Sequence, residues 1–120
     1  MEKILSSVLI SDDTTVNEYT CLWDTGSMET VISEKVLNDL SLTKNGHVII
    51  KTIHSEKKSD KYNLKLILSG HSKSIKINCA CFGKSREFDV VIGMDIINHG
   101  LLIIDHGVFS FKIDKLLWIN

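Results

Sequence analysis

The sequence lacks most of the features that announce a functional class. Proline is absent, and cysteine occurs only at Cys21, Cys79 and Cys81 among 120 residues. An odd cysteine count without framework spacing argues against a secreted disulfide scaffold. Cys79 and Cys81 take alternate positions of an apolar run, which reads as small side chains on one buried strand face. A metal site would need further ligands, and no His-Glu-x-x-His or Cys-x-x-Cys pattern supplies them. No apolar run reaches the length of a signal-peptide core or a membrane span, so a cytoplasmic location without membrane contact is the expectation. Neither sign of charge dominates, with a net charge of −1. That leaves no electrostatic footprint for nucleic acid or an anionic membrane. One basic cluster, Lys57-Lys58 with Lys61, is interleaved with Glu56 and Asp60 and reads as a solvated loop. The missing proline excludes nothing about function.

What is present is a chain of one-domain length, expected to fold as a single unit over 1–120. Apolar residues make up 43% of it, enough for a core without staples. Leu64, Leu66 and Leu68 alternate with Lys65 and Ile67. Ile75, Ile77, Cys79 and Cys81 alternate in the same way, as do Phe109, Phe111 and Ile113. Period-two patterns of this kind are strands with one buried face. Further strands are expected over Ile4–Ile10, Val16–Trp23, Val48–Ile53, Phe88–Ile92 and Leu101–Ile104. The fold class is therefore all-β, a sandwich or barrel, with one or two short helices. Val36, Leu37 and Leu40 have helical spacing, with Ser33 as N-cap and Glu34 in the first turn. A second helical turn is expected from Met94 to His99, stopped by Gly100 at the C-cap.

Two segments echo each other. Leu22-Trp23-Asp24-Thr25-Gly26 runs from an apolar strand into a glycine turn, and a helix follows. Val90-Val91-Ile92-Gly93 does the same. Asp24 sits at the end of a strand that reads as buried, where a carboxylate is costly unless it is paired or hydrogen-bonded. Gly26 lets backbone N–H groups approach it closely, and the Thr25 hydroxyl can tie the turn to a neighbour. Alone, Asp-Thr-Gly is an ordinary Asx turn.

Together, Leu22-Trp23-Asp24-Thr25-Gly26-Ser27 with Val31-Ile32-Ser33, and Val90-Val91-Ile92-Gly93-Met94-Asp95-Ile96-Ile97, resemble the retropepsin family of aspartic proteases. The wording is closer to its cellular and bacterial members, and the resemblance spans about Val8 to Phe111. It implies a closed, barrel-like fold and a two-fold homodimer. Asp24 matches the catalytic aspartate, Thr25 the residue that reaches across the dimer, and Gly26 the loop glycine. Gly93 matches the glycine beneath that loop, and Asp95 a structural position. Ser27 and Val91 are expected to contact substrate, as are Thr52, Ile53, His54 and Ser55 of a flap hairpin over Ile49–Tyr62. That flap departs from the family in holding no glycine, so its turn must use other residues or a longer loop.

This chemistry needs two carboxylates with opposite jobs, one ionised and one protonated, and no metal or cofactor. Their sharing of one proton is established behaviour of aspartic-protease dyads. The second segment offers no equivalent acid, since Asp89 and Asp95 flank its turn differently. The second carboxylate must come from Asp24 of another copy on a two-fold axis. The chain ends, Met1–Leu5 and Leu116–Asn120, are expected to pair between chains. The expected activity is endopeptidase action on an extended peptide or unfolded protein. The alternative is a non-catalytic dimerisation or peptide-binding module of the same fold. Ser27 is further expected to donate its hydroxyl to Asp24.

Overall fold

The computed structural model of the chain describes residues 3–51, 53–68 and 74–113. The expectations for Thr52, for the segment 116–120 and for the first two residues therefore lie outside the described residues. The described strands and helices follow the order β1 (Leu5–Ser11), β2 (Val16–Trp23), β3 (Val31–Ser33), α1 (Glu34–Asp39), β4 (Thr43–Lys51), β5 (Glu56–Leu68), β6 (Ile75–Gly83), β7 (Val90–Ile92), α2 (Met94–Ile97), β8 (Gly100–Asp105) and β9 (Val108–Ile113).

Seven strands form one sheet in the order β1-β2-β7-β3-β6-β5-β4, and β1 also pairs with β5. The strands β8 and β9 form a separate antiparallel ribbon. The β1–β2 hairpin turns at Asp12, whose carboxylate accepts the N–H groups of Thr14 and Thr15. Asp13 takes a φ of 81°, which an Asp tolerates in a tight turn. The alternation of each strand then points Val8, Ile10, Tyr19, Cys21 and Trp23 inward, where all are buried.

Ile10, Ile32, Leu66, Ile92, Ile96 and Val36 are fully buried and form the centre of the core. Burying each such side chain stabilises the fold by about 1.5–3 kcal/mol. Trp23 stacks at a tilt on Phe109 and Phe111, with ring centroids 5.2 and 4.8 Å away. Its indole N–H donates to the Ser6 hydroxyl at 2.9 Å. The β8–β9 ribbon is thereby packed beneath the strand that leads to Asp24. The thiols of Cys21, Cys79 and Cys81 are all free. Burial pushes the Cys79 thiol up to about 12, with the nearby Asp95 charge adding to the effect. Such a thiol is not a nucleophile.

Of the expected helix caps, one is found in its position and one is corrected. Ser33 occupies the N-cap position of α1, but its side chain makes no cap hydrogen bond. Its hydroxyl donates to the Asp89 carboxylate at 2.7 Å, a charge-assisted hydrogen bond that turns the side chain towards β7. Gly100 is not a C-cap: α2 ends at Ile97 with Asn98 as its cap, and Gly100 opens β8. The need for glycine there is close packing, since a Cβ would lie 2.5 Å from the Lys112 carbonyl and the Phe111 ring.

Candidate active site

The strands β2 and β7 run parallel, with Cys21, Leu22 and Trp23 opposite Val90, Val91 and Ile92. The two echoing segments therefore lie side by side. Where they end, their loops clasp. The Asp24 N–H donates to the Ile92 carbonyl at 2.9 Å. In return, the N–H groups of Met94 and Asp95 donate to the carbonyls of Ser27 and Met28, at 2.8 and 3.1 Å. Gly93 fits against this loop so closely that a Cβ would lie 2.7 Å from the Glu29 backbone. Its N–H donates to the Thr30 hydroxyl at 3.1 Å.

Thr30 and Asp95 complete the clasp. The Asp95 carboxylate accepts the Thr30 N–H at 2.9 Å and the Thr30 hydroxyl at 2.7 Å. It also accepts the N–H of Ile96 at 2.9 Å. Asp95 is thus fully engaged in holding the loop, and Thr30, only 1% exposed, belongs to the same network. In the sequence Thr30 has no role of its own, since it only opens the segment Thr30-Val31-Ile32-Ser33 that leads into α1.

Asp24 stands apart from this network. It is half-exposed, and one oxygen accepts the Gly26 N–H at 2.9 Å. Its other oxygen accepts nothing among the described residues. Thr25 is exposed, and its hydroxyl has no partner among the described residues. Ser27 does not donate to Asp24, contrary to expectation: its hydroxyl donates to the Glu29 carbonyl at 2.8 Å. The loop's own turn brings that carbonyl within reach and uses up the only proton the hydroxyl can give.

Val91 lies in the sheet, 9% exposed, with Leu22 on one side and Val31 on the other. The register continues this row across two more strands. Val31 is opposite Ala80, and Ala80 is opposite Lys61. Leu22, Val91, Val31, Ala80 and Lys61 therefore share one face of the sheet. The other face carries Cys21, Val90, Ile32 and Cys79, which are buried in the core. Leu22 and Val31 belong to the sequence motifs but not to the expected substrate contacts, because only the strand register places them beside Val91. At the end of the row the Lys61 ammonium lies 3.9 Å from the Glu29 carboxylate, joining β5 to the Asp24 loop.

The expected flap is the outer part of the β4–β5 hairpin, paired from His47↔Asp60 to Lys51↔Glu56. It is longer than the alternation suggested, since β4 starts at Thr43. Its ladder ends at the pair Lys51↔Glu56, with Ile53, His54 and Ser55 in the connection beyond it. The single glycine of β4, Gly46, lies instead at a bulge between Lys44 and His47 with a φ of 88°. At the apex Ile53 is 95% exposed, and His54 and Ser55 are exposed. Neither Ile53 nor His54 makes a hydrogen bond or ion pair with the Asp24 loop. The structure thus gathers Asp24, Thr25, Gly26, Ser27 and Val91 at one place and sets the apex residues on a projecting arm. Two cavities of about 470 and 610 Å³ lie elsewhere, and Asp24 borders neither.

The fold is that of retroviral proteases. The solution structure of simian foamy virus (mac) protease superposes with a TM-score of 0.55 at 20% identity, over 78% of this chain and 92% of that one. The EIAV protease complexed with the inhibitor HBY-793 superposes with a TM-score of 0.54 at 17% identity, over 81% of this chain and 86% of that one. No protein-family model and no curated protein sequence matches the chain. No helix among the described residues is long and apolar enough to cross a membrane.

Proposed function

We propose that the chain, as one domain, is half of a homodimeric aspartic endopeptidase whose active site forms where two Asp24 carboxylates meet on a two-fold axis. The observation that carries this reading is the contrast within the clasped loops. Asp95 and Asp89 are held by hydrogen bonds to the loop and strand beside them, whereas a rigid support presents Asp24 with one oxygen free among the described residues. A lone carboxylate can serve as a base but cannot also supply the acid, so the chemistry calls for a second copy. The unpartnered Thr25 hydroxyl suits the cross-dimer contact that the family resemblance implies. The pairing of β1 with both β2 and β5 supports a barrel-like closure.

In the dimer, one carboxylate takes a proton from the attacking water while the other donates a hydrogen bond to the scissile carbonyl. The substrate lies extended between the flap arms and the Leu22–Val91–Val31 face, adding a strand and filling alternate pockets. Ser27 and the apex residues Thr52, Ile53, His54 and Ser55 border that path, and neither metal nor cofactor takes part.

The test is to incubate the full chain with an unstructured protein from acid to neutral pH, with and without a statine-type inhibitor. Cleavage should be inhibitor-sensitive and should vanish in Asp24→Asn, with a dimeric mass in sedimentation for both proteins. Cleavage that survives Asp24→Asn, or a strictly monomeric active species, overturns the reading.

A further inference from the structure

The charge of the chain is unevenly placed. Segment 43–62 carries Lys44, Lys51, Lys57, Lys58 and Lys61 against Glu56 and Asp60, a net +3 in a chain whose total is −1. The flap is thus a basic arm on an otherwise acidic protein. Its two faces differ further. Residues paired across an antiparallel ladder share a face, and the faces alternate along each strand. Glu56, Lys58 and Asp60 lie on one face of β5, and Lys57, Ser59 and Lys61 on the other. Both acids fall on the first face, where Lys51 reaches Glu56 at 3.7 Å and Lys44 reaches Asp60 at 3.4 Å. The second face has no acid of its own. It is also the face continuous with Ala80, Val31, Val91 and Leu22, the row that starts two residues before Asp24.

We infer that the cleft selects peptides carrying an Asp or Glu side chain close to the scissile bond, recognised by Lys57 and Lys61 on the inner face of the flap. The inference rests on the endopeptidase reading and adds a substrate class to it. The apolar stretch of the row takes an aliphatic side chain, and the row's far end offers ammonium groups. Glu29 is the one acid at that end. It is 55% exposed and already faces Lys61 at 3.9 Å, a long contact that a substrate carboxylate can replace. Lys57 has no ion-pair partner among the described residues. A basic substrate side chain would meet two ammonium groups to reach one occupied carboxylate. Two-fold symmetry repeats the arrangement on the second flap, so acidic residues on either side of the scissile bond are favoured. Like-charge contact rejects a lysine at the same positions.

The experiment uses the full chain and matched peptides that differ only in Glu, Gln or Lys at the positions flanking one cleavable bond. We expect kcat/KM for the Glu peptide to exceed that for Gln by about 5-fold, the size of a partly exposed charge contact. The Lys peptide should be slower than Gln, and added salt should shrink both ratios. Lys57→Glu and Lys61→Gln should each lower the Glu-to-Gln ratio towards one. Lys58→Glu makes the same charge change as Lys57→Glu on the opposite face and should leave the ratio standing. Equal rates for Glu and Gln, or a Lys58→Glu effect matching that of Lys57→Glu, overturn the inference while Asp24-dependent cleavage of the Gln peptide still upholds the endopeptidase reading. No cleavage of any peptide overturns both.

Discussion

The two strand–turn–helix segments around Asp24 and Gly93 are built alike and used differently. Each is an apolar strand that ends in a glycine-bearing turn, and the strands lie in parallel register. In the second, the turn is buried in protein: Gly93 touches the Glu29 and Ser27 backbone, and Asp95 accepts three hydrogen bonds. In the first, the turn opens outward and its acid keeps a free oxygen. One copy of the motif has become a support and the other is what it supports. A reactive group gains precision when its neighbours are locked by packing and hydrogen bonds, and under the proposed endopeptidase reading this division of labour provides that for Asp24.

The contrast is broken most severely at its glycines. Gly93→Ala would place a Cβ 2.7–2.9 Å from backbone atoms of Glu29 and Ser27, which cannot swing aside. A loss of about 3 kcal/mol is expected, read as a drop in the denaturation midpoint with an unchanged slope. Gly26→Ala meets only the Asp24 carboxylate, at 3.2 Å. It should cost under about 1 kcal/mol of stability yet slow cleavage roughly 10-fold by displacing that carboxylate. Equal stability losses at the two glycines would show that the loops are equally supporting.

Removing the supporting acid comes next. Asp95→Ala leaves the Thr30 N–H and the Thr30 hydroxyl without their acceptor, while the Ile96 N–H keeps the Gly93 carbonyl at 3.1 Å. Two such losses in a partly buried site should cost about 2 kcal/mol. Thermal unfolding of the variant measures this. Activity measured well below its midpoint should fall less than stability suggests, because Asp95 reaches no reacting atom.

A smaller effect shows through pH at a carboxylate held by the backbone. Asp12 accepts the N–H groups of Ser41, Thr15 and Thr14, in that order of influence, and they hold its carboxyl well below the usual carboxylate range. A folded value below the unfolded one means that the native state binds fewer protons over that interval. The stabilisation is complete above an ordinary aspartate value of about 3.9 and fades as pH falls through the folded one. Asp12→Asn should therefore be less stable than the parent at neutral pH, and the gap should narrow below about pH 4. A gap that stays constant into acid would mean that the turn, rather than the charge, carries the effect.

Much of this was legible in the residues, and what was hidden has identifiable causes. The strand Val16–Trp23 has the bounds its alternation predicts. The three-residue β3 is too short to show any period. The start of β4 at Thr43 and the part of β5 that holds Lys57, Lys58 and Lys61, which reads in sequence as a solvated loop, carry too few apolar residues to show the alternation that marks a half-buried strand. Asp24 and Gly93 stood out through spacing, whereas Thr30, Leu22, Val31 and the Lys61–Glu29 contact depend on strand register. Register is a property of pairing, and no local pattern encodes which residue of β6 faces Val31.

Ser27 is where the structure departs most instructively from the sequence reading, and it predicts the smallest effect. A serine after Asp-Thr-Gly invites the idea that its hydroxyl stabilises the ionised Asp24. In the folded chain the hydroxyl donates to the Glu29 carbonyl at 2.8 Å, so its one proton is committed to the loop backbone. Ser27→Ala then removes one neutral hydrogen bond at a half-exposed position, worth about 0.5–1 kcal/mol. The pH–rate profile should keep its position, because the charge environment of Asp24 is unchanged. A profile displaced towards neutral pH would mean that the hydroxyl turns to Asp24 once two loops meet. In that case the working half of the contrast is itself rebuilt by dimer formation, while the supporting half around Gly93 stays as it is in the single chain.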